Sequence, residues 1–177
     1  MKGLLTKVVT LGIINQIYLN AEEFNSQNVA IISGQRAQIG QFPWHVLLWL
    51  GEIDYERGIC GGSIISNNWV LTTAGCVYES YSVDLVFGTI ELNKNNITMT
   101  STVIIIHPEF NREVLTNNIA LIELPTTLEF SDIIQPIQLM SLAEISRNFT
   151  GVEVIITGFG RSEQKIQIFP IGYYGHL

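Results

Sequence analysis

Few side chains in this sequence are equipped for acid–base or nucleophilic chemistry. The chain carries 3 histidines and 2 cysteines in 177 residues. An imidazole exchanges protons near neutral pH, so each histidine is a candidate base. His45 follows Trp44 inside an apolar run and reads as partly exposed or satisfied within a core. His107 stands before Pro108, where it ends a strand. Ser63 closes a Gly61-Gly62-Ser63 string with no base in its own stretch. The aspartates and glutamates are scattered, without the close pair that glycoside hydrolysis needs. No glycine-rich loop opens a helix, which leaves nucleotide phosphates without a cradle. Cys60 and Cys76 are too few for a disulfide scaffold, and without neighbouring histidines they form no zinc site. The sequence therefore implies neither a metal nor a cofactor, and leaves the cysteines as two buried thiols or one bridge.

The elements that would position these residues are strands. Hydrophobic residues make up 47% and charged residues 14%, which excludes a disordered chain and permits a sizeable core. Short apolar or alternating runs are separated by turn residues, the pattern of an all-β barrel or sandwich. Strands are expected over Trp44 to Leu50, Cys60 to Ile65, Trp69 to Thr73, Val83 to Phe87, Thr98 to Ile106, Ile119 to Leu124 and Val152 to Thr157. Ser66-Asn67-Asn68 is the turn of a hairpin between the second and third. No pattern supports a helix longer than two turns. The net charge of −7 repels a phosphate backbone, so no nucleic acid is expected as a partner.

Residues 1–21 read as a secretory signal. Lys2 and Lys7 flank the start, Val8 to Ile14 is apolar, and Leu19-Asn20-Ala21 is a candidate cleavage site. The uncharged run from Val8 to Ala21 is 14 residues, shorter than the roughly 18 a spanning helix wants, so no membrane span is expected. A secreted, extracellular chain follows, with Asn96-Ile97-Thr98 and Asn148-Phe149-Thr150 as glycosylation acceptors.

From Ile31-Ile32-Ser33-Gly34 onward the sequence resembles the chymotrypsin/trypsin-like serine protease family, S1. The resemblance rests on Gly40-Gln41-Phe42-Pro43-Trp44, on Cys60-Gly61-Gly62-Ser63-Ile64-Ile65, and on Trp69-Val70-Leu71-Thr72-Thr73-Ala74. It continues through Asn117-Asn118-Ile119-Ala120-Leu121, Gln135-Pro136-Ile137 and Thr157-Gly158-Phe159-Gly160-Arg161. It implies an all-β trypsin-like fold with the first six-stranded antiparallel barrel nearly complete over residues 31–139. Residues 22–30 would be a short preceding segment, and residues 140–177 the truncated start of a second barrel. The resemblance also implies a Cys60–Cys76 disulfide, which closes a 16-residue separation worth roughly 3 kcal/mol in the chain-entropy model.

The same resemblance assigns the catalytic positions and finds them altered. The family's histidine precedes the cysteine of Thr-Ala-Ala-His-Cys, and Gly75 stands there. Its aspartate is the second residue of Asn-Asp-Ile-Ala-Leu, and that position is Asn118. No Gly-Asp-Ser-Gly-Gly string occurs. Glycine accepts no proton, and an amide in place of the buried carboxylate costs roughly 10⁴ in rate in the classic protease case. Ala30 before Ile31 does not invite a trypsin-type activating cut. The expectation is a non-catalytic homologue that binds a protein partner or itself through an exposed inter-barrel face. The alternative is an inactive fragment of a longer S1 endopeptidase.

Overall fold

The computed structural model describes residues 36–50, 58–92, 96–141, 144, 148–150 and 155–159. Their alternating apolar runs become strands β1 (His45–Leu50), β2 (Ile59–Ile64), β3 (Trp69–Thr72), β4 (Val83–Phe87), β5 (Ile97–Ser101), β6 (Ile104–Ile106) and β7 (Ala120–Glu123), with one helical turn, α1 (Ala74–Val77), after β3. All pairings are antiparallel, and the order across the sheet is β5-β4-β1-β2-β3-β7-β6.

The run expected as one strand over Thr98 to Ile106 is broken in two. β5 pairs with β4 at one end of the sheet, and β6 pairs with β7 at the other. Only Thr102 and Val103 separate them. Ser101 holds the crossing: its Oγ donates to the Glu123 carbonyl (2.6 Å) and accepts from the Val103 N–H (3.1 Å). The Glu123 N–H in turn donates to the Val103 carbonyl (3.1 Å). Ser101 is 2% exposed, so its hydroxyl satisfies backbone groups that water does not reach. The sheet thereby curls on itself, and the seven segments are six barrel strands with one of them kinked.

Strand alternation places Val46, Leu48, Ile64, Val70, Leu85 and Phe87 on the inner face, all buried. The outer face is also closed over part of its area, since Leu47 and Val86, paired across β1 and β4, are 1% and 2% exposed. Gly88 ends β4 at φ 61°, where a Cβ would lie 3.0 Å from Ile133 Cδ1. That left-handed conformation and close approach both favour glycine. Beyond the barrel, the strand expected over Val152 to Thr157 is not formed in its described part. Residues 155–159 carry no strand, and Thr157 points its hydroxyl at His45 instead of joining a ladder. The remainder of that stretch, the signal segment and the residues after Phe159 lie outside the described residues.

Candidate functional site

The Gly75 and Asn118 positions come together. Thr73, in extended conformation (φ −93°, ψ 146°), precedes α1 but makes no side-chain cap. The orphan amide of Gly75 is satisfied from across the chain, donating to Asn118 Oδ1 at 2.8 Å. Asn118 thus does for α1 what an N-cap side chain ordinarily does. It is presented by a tight loop in which Leu115 (φ 54°) and Asn117 (φ 53°) are both left-handed. Asn111 organises that loop: its N–H donates to the Thr116 carbonyl, and its Oδ1 accepts from Glu113 and Val114 N–H. Asn117 Nδ2 donates to the Glu109 carbonyl at 3.0 Å.

Gly75 itself is exposed and leaves room for a side chain. A Cβ there would meet Asn118 Oδ1 at 3.4 Å and Leu115 Cδ2 at 3.8 Å, ordinary contact distances. The geometry that sets an imidazole beside an orienting side chain is present, but neither Gly75 nor the neutral Asn118 carboxamide can take a proton. Asn118→Ala is expected to lower stability by about 1 kcal/mol, the usual value of a cap. Urea unfolding of the two proteins measures it, and an unchanged midpoint would show that the Gly75 amide is served by water.

The bridge beside this site is formed: Cys60 on β2 and Cys76 on α1 are disulfide-bonded across a separation of 16 residues. Both half-cystines pack against the inner core. His107 is occupied in a turn, where its Nδ1 accepts the Glu109 N–H at 3.1 Å. The β1–β2 register sets Ser63 directly opposite His45, whose Nδ1 is engaged by Thr157 Oγ1 at 3.0 Å. A nucleophile must also be reachable. Ser63 is 1% exposed, and His45 is buried deeply enough that its pKa falls to about 4. That pair is a feature of the barrel's outer face, and sequence spacing alone could not place residues 18 positions apart side by side.

No group of three or more His, Cys, Asp or Glu among the described residues is placed to hold a metal ion. No helix among them is long and apolar enough to cross a membrane. A groove of about 360 Å³ opens between Ile39, Thr89, Ile90, Glu91 and Asn96, away from Gly75, and Glu91 is tied there to Arg36 at 2.8 Å.

Comparison with known proteins places this geometry. The family model described as Trypsin matches residues 31–169. The chain is 34% identical to a collagenase of Hypoderma lineatum over 173 residues, covering 98% of this chain and 66% of that one. It is 31% identical to a trypsin of Phaedon cochleariae, covering 75% of this chain and 51% of the relative. The solved structure of HL collagenase superposes with a TM-score of 0.62 at 38% identity, over 66% of this chain and 50% of that one. The chain spans roughly half to two thirds of the length of these relatives.

Proposed function

The chain belongs to the trypsin family, and from that premise we propose that it is a secreted, non-catalytic homologue serving as a protein-binding or regulatory module. One observation carries the reading. The place of the family's imidazole is an exposed glycine whose amide is held by Asn118 Oδ1. Acyl transfer by a serine requires a base that takes the hydroxyl proton and a carboxylate that holds the base in its working tautomer. Neither is present at these positions, while the barrel and its disulfide are kept. A scaffold retained without its chemistry is suited to recognition. We assign that recognition to the face on which a second barrel would pack, with a protein partner or a second copy as occupant.

The domain reading goes with this proposal: a signal over residues 1–21, a short segment over 22–30, the first barrel over 31–139, and the start of a second unit over 140–177. Secretion would bring both acceptor asparagines to the glycosylation machinery. The Asn148 side chain already accepts the Thr150 N–H through Oδ1 (2.8 Å), leaving Nδ2 for a glycan, whereas Asn96 Nδ2 donates to the Gly88 carbonyl.

The test is labelling of the full chain with a fluorophosphonate probe together with a peptide-hydrolysis assay. Neither labelling nor turnover above background is expected, and none after Gly75→His with Asn118→Asp, which restores base and orienter without a nucleophile. Stoichiometric labelling of one serine in the unaltered protein would overturn the proposal. The partial coverage of the relatives favours a second reading, in which this sequence is an inactive part of a longer S1 endopeptidase. A native protein much heavier than this chain would select it.

A further inference from the structure

The segment after the first barrel touches that barrel through a histidine that no catalytic reading uses. His45 begins β1 on the outer face, sharing that face with Leu47 and, across the register, with Ser63 of β2. Its Nδ1 lies 3.0 Å from Thr157 Oγ1, and its ring centroid lies 5.5 Å from that of Phe159. On the third side is Gly61, where a Cβ would stand 3.2 Å from the imidazole Cε1. Glycine at this position lets the ring lie close over β2, where a side chain would push it back by a few tenths of an ångström. Its Nε2 is buried and has no hydrogen-bond partner among the described residues.

We propose that His45, Thr157 and Phe159 form a clasp that seats residues 155–159 on the outer face of β1 while the imidazole is neutral, and releases them on acidification. The neutral ring suits the site, with Nδ1 bonded to the Thr157 hydroxyl and the ring tilted 46° to that of Phe159. A proton on the ring would leave a charged Nε2–H in a dry pocket with nothing to receive it. Among the described residues no charged group faces the ring to offset that cost. Ser63, Gly61, Thr157 and Phe159 are uncharged, and the carboxylate on this face of β4, Asp84, stands opposite Trp49 and accepts from Thr100 Oγ1 at 2.7 Å. Burial is the sole cause of the fall in the His45 pKa, from 6.5 to about 4. The sign follows. A group whose pKa is depressed in the closed form favours closure above 6.5, and loses that preference as pH falls toward 4. Across that interval the open-to-closed ratio rises by up to about tenfold per pH unit.

The experiment places 4-fluorophenylalanine at position 159 of the full chain and follows its fluorine resonance from pH 7.5 to 4. Amide exchange of β1 serves as the control for global unfolding. We expect an open-form population that grows by up to about tenfold per unit below pH 6.5 while the β1 amides stay protected, and a flat response in His45→Gln. A single closed resonance throughout, an equal response in His45→Gln, or simultaneous loss of β1 protection would overturn the clasp. If His45→Gln does not fold, the His45 ring signals of the unaltered sequence decide. Titration near 6.5 with residue 159 still closed overturns the proposal, and titration well below it supports it.

Discussion

Replacing Cys60 and Cys76 together by alanine is expected to lower the unfolding free energy by about 3 kcal/mol, the chain-entropy value for a loop of this length. The bridge joins β2 to α1 across 16 residues. Without it, β2 and β3 remain paired through Ser63 to Leu71 and Ile64 to Val70, so the fold is retained and the loss falls on the unfolded state. Urea unfolding should show a lower midpoint. The slope should rise somewhat as well, because the unbridged chain exposes more surface when unfolded. The Gly75 amide, held by Asn118, adjoins Cys76 in α1, so both restraints act on the same turn. Adding Asn118→Ala to the double cysteine variant should therefore not give a simple sum. A loss below about 1 kcal/mol on removing the bridge would mean that Asn118 alone fixes the turn.

The barrel was largely legible because its strands obey period two. Val83 to Phe87 has the bounds expected of it, and β1, β2, β3 and β7 differ from expectation only at their ends. Ends fray from pattern because the last residue's pairing depends on its neighbour strand and not on its own side chain. The kink at Thr102-Val103 was hidden for a different reason. β-branched residues continue straight through it, and what breaks the strand is a tertiary bond, Ser101 Oγ to the Glu123 carbonyl. Sequence gives no periodicity for a hydroxyl that reaches 22 residues along the chain.

The site shows the same division. The residue types at Gly75 and Asn118, and the resemblance of the motifs around them, were legible in the sequence. Their direct contact was not, because Asn118 reaches α1 from a loop built on two left-handed residues, neither of them glycine. The sequence implies a His45 partly exposed or satisfied in the core, and it is half satisfied: Nδ1 has Thr157, while Nε2 has no partner among the described residues. Its surroundings come from a glycine 16 residues away and a segment 112 residues away, which no local window contains.

Phe87→Ala should produce the other large loss, about 3–5 kcal/mol, because a fully buried aromatic side chain leaves both lost burial and a cavity. Phe87 is 0% exposed and heads the largest buried side chains of the core. It sits at the end of β4, pairs in register with Val46 and Ile97, and is followed at once by the left-handed Gly88. Collapse around the vacancy is restricted there. Ile133 and Ile134 already fill the space a Cβ at Gly88 would take, and β4 is fixed between β1 and β5. Phe87→Leu retains more of the volume and should cost clearly less. Urea unfolding of the two variants gives the comparison, and equal losses would show that the aromatic ring does not fill the space the inner face provides. The location of the damage is equally specific. Val46, opposite Phe87, points inward, whereas His45 beside it points outward toward Thr157. Phe87→Ala should thus weaken the whole barrel while leaving the pH response of residue 159 unchanged wherever the protein is still folded. A shifted response would mean that the two faces of β1 are mechanically coupled through the strand itself.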